Sequence, residues 1–306
     1  MANYTAAILL STYNGELYLN EQMDSLIHQK DVDVDIYVRD DGSTDKTIDI
    51  IKDYCANNPV IFLDDKESYG PAVSFFELLK AIPDKYDFYV FADQDDIWYE
   101  NKVKAAVDKL NTNIPMLYCS NQMLYCDGKQ VGMRYADNPG TDVIKVIFGN
   151  DIAGCTMVLN KQLRDILVDS SNLPSEEILK MRMHDTWVML IAGVSGKIIY
   201  DNSSYINYRI HSHNTVGLKK RSLFEKIRIF LDEKKTHDAW RSRTAQELLK
   251  TSVAKEYNDV ALLEKIAYYK KRGLLSKISL LRDKEIKRRS KIGLISYFVN
   301  TIFGWL

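Results

Sequence analysis

The sequence predicts an α/β fold with a mostly parallel sheet flanked by helices, followed by a helical C-terminal extension. Short β-rich segments alternate with helix-like segments through the first half of the chain, and strand signals almost cease after Gly217. The charge changes at the same place. Residues 1–218 carry 19 Lys and Arg against 32 Asp and Glu, whereas residues 219–306 carry 22 against 10. The formal net charge of -1 therefore hides an acidic and a basic segment with different expected partners.

The elements follow from the local sequence pattern. Four β-rich segments come first: AAILL (6–10), DIYVR (35–39), VIFL (60–63) and FYVFA (88–92). Helix-like segments separate them, near residues 16–29, 45–57 and 71–81. Further strand-like segments occur at 116–120, 155–160 and 197–201. Amphipathic segments after Gly217 then predict helices, beginning with LFEKIRIFL.

Length and composition favour a folded globular protein. A chain of 306 residues can bury a substantial core, and 46% hydrophobic with 27% charged residues argues against a disordered or polytopic membrane protein. The apolar stretch at residues 6–10 is too short for a signal peptide and lacks a basic segment before it, so we expect a cytoplasmic protein. Cys55, Cys119, Cys126 and Cys155 show no zinc spacing and are expected to be reduced and structural.

Polar motifs follow three of the predicted strands. STYNGE (11–16) follows the first strand, DDGSTD (40–45) the second and DQDD (93–96) the fourth. In an open parallel sheet, ligands bind beyond the carboxyl ends of the strands. The three motifs are therefore expected to meet at one crevice.

The DQDD motif places several carboxylates close together. Asp93 and Asp95 lie two residues apart, with Asp96 beside them. Such carboxylates repel one another unless a cation neutralises them or the turn is well solvated. A solvated turn would explain an isolated pair, but Trp98 follows and two other polar motifs share the location. These features favour a site for a divalent metal and a diphosphate.

The DDGSTD motif combines a turn with a helix start. Its glycine permits a tight turn, and Asp45 is a suitable N-cap for the next helix. Capping leaves Asp40 and Asp41 unexplained. Asp41 ends a strand, where its carboxylate can accept the N3 proton of a uracil or thymine ring.

Two later motifs contain histidines. His184 and Asp185 open an apolar helix in MHDTWVML, where an acid near the N-terminus is favoured by the helix dipole alone. His211 in YRIHSHNTVG can be an ordinary surface histidine. Their order after DQDD suggests more, because a metal site needs a further ligand and a transferase needs a base.

Taken together, STYNGE, RDDGSTD, FADQDDIW, AGCTMVLN, HDTW and YRIHSHNTVG resemble family 2 glycosyltransferases with the GT-A, Rossmann-like fold. The likeness runs from about residue 4 to 217 and is strongest to rhamnosyltransferases that build rhamnose-rich bacterial polysaccharides. It implies an inverting, metal-dependent transfer of L-rhamnose from dTDP-rhamnose to a saccharide acceptor, expected to be lipid-linked. It also implies a nucleotide-sugar half at about 1–114 and an acceptor half at about 115–218.

The resemblance assigns a role to individual residues. The nucleotide-sugar contacts are Thr12, Tyr13, Asn14, Glu16, Asp41 at the pyrimidine, Asp93 at the ribose and Arg209 at the diphosphate. The ligands of a divalent cation, Mn²⁺ or Mg²⁺, are Asp95 and His211, with Asp93 and Asp96 as further candidates. Asp185 is the base that removes the acceptor proton. Residues 68–75 depart from the family pattern, because this chain carries Tyr69 where relatives commonly carry Asn.

Two alternatives stay open at this stage. One is an enzyme of the same fold that uses a UDP-hexose or UDP-N-acetylhexosamine. The other is a catalytically silent nucleotide-sugar-binding module, against which Asp95, Asp185 and His211 argue jointly because binding alone needs no base. Dinucleotide oxidoreductases and P-loop kinases are disfavoured because neither GxGxxG nor GxxxxGK[ST] occurs.

The chain closes with a basic cluster and an uncharged run. Residues 293–306 carry no charge, and as a helix they would cover about 21 Å, short of the roughly 30 Å hydrocarbon core of a bilayer. Residues 284–306 therefore suit docking on an anionic membrane surface, making the protein peripheral at the inner face of the cell membrane. The alternative is that this helix packs on the catalytic domain or on a second subunit of a homodimer. Nucleic acid is not an expected partner because no recognised motif for it is present.

Overall fold

The computed structural model of the protein describes residues 4–110, 113–211, 239–271 and 273–306. The strands in these ranges are β1 (Thr5–Thr12), β2 (Asp33–Asp40), β3 (Val60–Phe62), β4 (Phe88–Ala92), β5 (Ile97–Trp98), β6 (Met116–Cys126), β7 (Lys129–Met133), β8 (Val158–Asn160) and β9 (Lys197–Arg209). The helices are α1 (Leu19–Ile27), α2 (Thr47–Asn57), α3 (Pro71–Ala81), α4 (Lys102–Val107), α5 (Val143–Phe148), α6 (Lys161–Val168), α7 (Glu176–Ser195), α8 (Trp240–Lys250), α9 (Val260–Ala267), α10 (Leu274–Arg282), α11 (Lys284–Ser290) and α12 (Leu294–Phe303). The predicted boundary at residue 218 and the predicted helix LFEKIRIFL lie outside the described residues.

The strands form one sheet in the order β3-β2-β1-β4-β8-β6-β9-β5, with β7 paired to β6. The first four strands of this order are parallel. β8 then runs antiparallel to both of its neighbours, β4 and β6, while β6 and β9 are parallel. The predicted α/β fold is therefore confirmed, and the parallel arrangement holds for the N-terminal half while the second half is mixed.

Both faces of the sheet are covered by helices. Alternate residues of β1 serve opposite faces, so that Ala7 and Leu9 enter one hydrophobic cluster while Ile8 and Leu10 enter the other. Because both faces are buried, the strand reads as a continuous apolar run instead of an alternating one. The carboxyl end of β1 is consequently held rigidly between two packed layers.

The C-terminal helices pack on the α7 side of the sheet. Their buried residues, Leu248, Leu263, Leu280, Ile286 and Tyr297, belong to the same hydrophobic cluster as α7. Leu306 is fully buried, and its peptide N–H donates to the Tyr269 hydroxyl at 3.1 Å. The predicted helical extension is confirmed for the described residues of this region. Within the described ranges, every helix is too short or too polar to cross a membrane.

Candidate functional site

A cleft of about 990 Å³ opens at the carboxyl ends of β1, β2 and β4. The three polar motifs predicted to converge do line it, at residues 11–16, Asp41 and residues 93–95. Its other wall comes from residues 150–154, residues 183–185 and His211. The structure therefore brings together the base and metal residues suggested by sequence.

Hydrogen bonds join STYNGE to DDGSTD. The Asn14 side-chain oxygen accepts from the Thr44 peptide N–H at 2.8 Å, and the Glu16 carboxylate accepts from the Lys46 peptide N–H at 3.1 Å. Asp45 accepts from the Glu16 peptide N–H at 3.1 Å. These contacts hold the two loops together as one wall of the cleft. They also engage the side chains of Asn14 and Glu16, which the resemblance predicts to bind the nucleotide.

Thr12 and Tyr13 are fixed by neighbouring strand ends. The buried Thr12 hydroxyl donates to Asp40 at 2.8 Å. The Gln94 side chain accepts from the Tyr13 peptide N–H at 2.8 Å and donates to the Tyr13 carbonyl at 2.9 Å. A Cβ at Gly15 would lie 2.4 Å from the Gln94 side-chain oxygen. The glycine therefore lets the DQDD loop approach STYNGE, while the Tyr13 ring stays exposed at the cleft.

Asp41 is buried at the edge of the cleft. Its carboxylate accepts from the Arg39 guanidinium at 2.8 Å and from the peptide N–H groups of Tyr69 and Gly70 at 2.8 and 2.7 Å. Asp41 therefore anchors the loop before α3, a structural role that the sequence did not reveal. Its contact with a pyrimidine stays a prediction.

Asp95 and His211 come together from distant parts of the sequence. The His211 Nε2 atom lies 2.8 Å from the Asp95 Oδ2 atom, and both side chains line the cleft. Adjacent ligand atoms of an octahedral ion with bonds of about 2.1 Å are about 3.0 Å apart. An imidazole nitrogen and a carboxylate oxygen are also suitable donors for Mn²⁺. The donor chemistry and the observed separation therefore fit a divalent cation.

A cluster of largely buried ionisable groups lies behind these two residues. Ligand atoms of Asp93, Asp96 and Cys155 all lie within 4.8 Å of one another. Burial, and next the charge of Asp95, raises the pKa of Asp93 to about 7 and that of Asp96 well above its usual range. The buried Lys102 ammonium lies 3.4 Å from the centre of the Trp98 ring, and burial lowers its pKa to about 7.

Two members of this cluster, Asp96 and Cys155, were assigned roles from the sequence, and the structure shows their surroundings. Asp96 is fully buried and its Oδ1 atom accepts from the Arg209 peptide N–H at 3.2 Å. Its carboxyl also interacts with the Cys155 thiol. A nearby cation would favour the ionised form of this carboxyl, which is otherwise costly to bury. Cys155 is reduced and fully buried, and burial raises the pKa of its thiol well above the usual range, consistent with the structural role expected for it.

Asp185 follows a break in α7. Met183 has φ 66° and ψ 159°, so the helix restarts at the predicted HDTW motif. This backbone region is strained for a residue with a side chain. Burial raises the pKa of the Asp185 carboxyl to about 6, an effect partly offset by hydrogen bonds from Thr186 and Asn150. The carboxylate is thus poised to take up a proton near neutral pH.

His184 packs against two aromatic rings that also contact each other. Its ring centre lies 4.1 Å from that of Phe75 and 5.3 Å from that of Phe91, and burial lowers its pKa to about 3. Neither ring nitrogen has a hydrogen-bond partner among the described residues. A Cβ at Gly154 would lie 2.3 Å from the His184 Nε2 atom, so only glycine allows this approach. The neutral His184 ring is therefore held in place by packing. This packing also fixes the backbone next to Asp185.

Arg209 lies behind the DQDD loop. Its Nε donates to the Asp95 carbonyl at 2.9 Å, and its guanidinium pairs with Glu21 and lies 4.6 Å from the Tyr18 ring centre. In this arrangement it braces the DQDD loop from β9. The diphosphate contact predicted for Arg209 stays a prediction.

Sequence reasoning missed several residues of the cleft. Gln94, Arg134, Asn150 and Tyr208 all line it. Gln94 was visible inside DQDD, but its two bonds to Tyr13 require the folded loop. Arg134 stands in no recognisable motif, and its guanidinium lies 5.5 Å from the Tyr208 ring centre. It contributes a positive charge at the cleft.

Comparison with known proteins agrees with this geometry. Residues 7–159 match glycosyl transferase family 2. The dTDP-rhamnosyl transferase RfbG of Shigella flexneri is 32% identical over 217 residues, covering 68% of this chain and 73% of that protein. The structure of S. aureus TarS 1-349 in complex with UDP-GlcNAc matches with a TM-score of 0.61 at 16% identity, covering 98% of this chain and 80% of that one. The mannosyltransferase PcManGT from Pyrobaculum calidifontis, in complex with GDP-Man and Mn²⁺, matches with a TM-score of 0.50 at 12% identity, covering 99% and 87%.

The chain therefore belongs to glycosyltransferase family 2. It is a glycosyltransferase with the GT-A fold, as the sequence motifs predicted. The two solved structures, at these identities, contribute the fold alone.

Proposed function

We propose that this enzyme transfers L-rhamnose, with inversion, from dTDP-rhamnose to a saccharide acceptor in bacterial cell-surface polysaccharide synthesis. The observation that carries the proposal is one cleft that contains both the Asp95–His211 pair and the half-buried Asp185 carboxylate. The rhamnosyl donor is supported by the relative from Shigella flexneri. A lipid-linked acceptor would require the enzyme to work at the inner face of the cell membrane.

The proposed reaction is a single displacement. Asp185, ionised above a pKa of about 6, removes the proton from the acceptor hydroxyl while that oxygen attacks the anomeric carbon. The bond to the nucleoside diphosphate breaks, and configuration at that carbon inverts. STYNGE and Asp41 hold the nucleoside, and Asp93 approaches the ribose. Arg134 adds a positive charge beside the leaving diphosphate.

Asp95 and His211 would hold a divalent cation, Mn²⁺ or Mg²⁺, with Asp93 and Asp96 as further candidates. When bound, such an ion neutralises charge that develops on a leaving diphosphate. The protein's part is to fix the two ligands. Asp95 is held by its loop and by Arg209, and His211 directly follows β9, with its ring 4.9 Å from that of Tyr18.

The donor is tested by thermal shift and donor hydrolysis with dTDP-rhamnose, UDP-glucose, UDP-galactose and UDP-GlcNAc, each with Mn²⁺ or Mg²⁺. We expect stabilisation and turnover with dTDP-rhamnose and loss of turnover in excess chelator. Asp95→Ala should abolish the metal-dependent response while the protein stays folded. Asp165→Ala is a matched control, because Asp165 lies on α6 and pairs with Lys161.

Each outcome decides one part of the proposal. A response confined to a UDP-sugar would replace the donor and retain the transferase. Full turnover in excess chelator would remove the cation. Donor binding without transfer to any saccharide acceptor would favour the silent binding module.

A further inference from the structure

Helix α12 has its apolar face turned outward. The residues that it buries against the protein are Tyr297, Asn300 and Thr301, two of which are polar. The side chains that it exposes are Leu294, Ile295, Phe298 and Phe303, and Ile295 is 82% exposed. A surface helix of a globular protein normally has the reverse arrangement. The exposed face of α12 is therefore suited to contact something other than water.

Helix α10 extends this apolar surface. The Tyr297 hydroxyl donates to the Leu280 carbonyl at 2.7 Å, and the Lys277 ammonium donates to the Ile302 carbonyl at 2.5 Å. The two helices thus run side by side in opposite directions. Leu274 and Leu275, at the start of α10, are exposed by 65% and 74%. We call the docking surface the exposed set Leu274, Leu275, Leu294, Ile295, Phe298 and Phe303.

The docking surface is surrounded by positive charge. Residues 270–306 contain ten Lys and Arg against two Asp and Glu, a formal excess of eight positive charges. Lys270, Lys271, Lys284, Lys287 and Lys291 are exposed. Apolar side chains beside cations suit an anionic lipid surface, which accepts the former and attracts the latter. A second copy of this chain would bring the same positive charges face to face, which is unfavourable.

Helix α12 is attached close to one wall of the cleft. Its inward face contacts α5, where the ring centres of Tyr297 and Phe148 are 5.9 Å apart. The cleft-lining segment begins at Asn150, two residues after Phe148. The docking surface is the opposite, outward face of the same helix.

We infer that the docking surface formed by α10 and α12 binds the surface of an anionic membrane, without crossing it. Leu294, Ile295, Phe298 and Phe303 enter the region between the lipid headgroups and acyl chains, and the surrounding lysines contact the headgroups. This contact is independent of the donor sugar. It agrees with the proposed lipid-linked acceptor, but vesicle binding requires no turnover, so either proposal can fail alone.

The test is co-sedimentation of the full chain with vesicles of phosphatidylcholine alone and of phosphatidylcholine with phosphatidylglycerol. We expect binding to the anionic vesicles that weakens as salt rises from about 0.05 to about 0.5 M, because surface charge is screened. The double substitution Ile295→Ser and Phe298→Ser should lower the partition coefficient at least about tenfold, because two large apolar groups no longer leave water.

A matched control replaces two exposed apolar residues on another face, Ile114→Ser and Val131→Ser. It should bind vesicles like the unaltered protein, and donor hydrolysis should be unchanged in both double variants. Unaltered vesicle binding by the Ile295/Phe298 variant would overturn the inference, as would absence of binding by the unaltered protein. A homodimer in solution that this variant dissociates, without any vesicle binding, would show that a second copy occupies the surface.

Discussion

At the residue scale, Asp185 shows how burial decides what a carboxylate does. The sequence placed it correctly at the start of a helical stretch, where a helix dipole favours a negative charge. The structure also leaves it half-buried in the cleft, and this desolvation raises the pKa of the carboxyl to about 6. Burial depends on residues far away in sequence, so the HDTW motif predicted the candidate base but could not predict its proton affinity.

The base assignment predicts a pH profile. Turnover should rise with pH and level off above about 6, because only the ionised carboxylate accepts a proton. Asp185→Asn should lower kcat by about 100- to 10,000-fold with little change in donor affinity. Steady-state kinetics from pH 5 to 8, with donor affinity measured by calorimetry, test both. Near-normal transfer by the variant would refute the assignment.

The same substitution separates a base from a stabilising helix acid. The folded protein holds the Asp185 proton more tightly than the unfolded chain does, so folding stability falls as pH rises from about 4 to about 6. Above that range the penalty of the buried charge is complete. Asp185→Asn should therefore keep or raise the melting temperature at pH 8. If Asp185 served only to stabilise the helix through its dipole, replacing it would instead lower the stability by about 0.3 to 1 kcal/mol. Asp165→Asn, on α6, is the matched control.

At the element scale, the strands and helices of the N-terminal half were predictable because their periodicity is local. The segments predicted at 71–81 and 88–92 match α3 and β4. β8 is shorter than the predicted 155–160, because Gly154–Thr156 forms a 3-10 turn before it. Gly154, the first residue of this turn, also makes a distant contact, since it packs directly against His184 of α7. Local sequence contains no signal for such a contact.

The contact between this turn and α7 makes a prediction for Gly154. Gly154→Ala would push a methyl group into the His184 ring, which already packs against Phe75 and Phe91. Overpacking of this kind typically costs about 1 to 3 kcal/mol. We expect a lower melting temperature and a loss of turnover, because the neighbouring Asp185 is displaced. Gly293→Ala meets no atom within 4 Å and is the control. Equal stability of both variants would contradict the packing argument.

At the scale of the whole molecule, the basic C-terminal helices are part of the folded body. Arg289 of α11 makes one of several polar links that attach them. Its guanidinium lies 2.7 Å from the carboxylate of Asp142, the N-cap of α5, and donates to Asp259 at 2.7 Å and to the Tyr257 hydroxyl at 3.2 Å. The inward face of α12 also packs on the rest of the protein, through Tyr297 and Phe148. This is the predicted alternative in which the closing helix packs on the catalytic domain. Charge composition indicated a separate segment but could not reveal this attachment.

Arg289→Gln should therefore destabilise the whole protein. Both acidic partners are partly exposed, which reduces the energy of the pairs, so we expect a loss of about 1 to 2 kcal/mol. Arg288→Gln removes the same charge from the same helix, but solvent screens its exposed pair with Glu285, so we expect little change in stability. Urea unfolding of the two variants compares them directly. Similar losses in both would mean that Arg289 does not fasten the C-terminal helices.

The position of β9 in the sheet has a consequence for biosynthesis. It is the last strand described along the chain, yet it lies between β6 and β5 and joins β5 to the sheet. His211, the proposed partner of Asp95, follows two residues after its end. While the chain is being synthesised, the DQDD loop leaves the ribosome more than a hundred residues before its second ligand does. A prematurely terminated chain that ends before β9 therefore contains the DQDD loop but lacks His211, and if the proposed metal site is needed for transfer we expect such a fragment to be inactive.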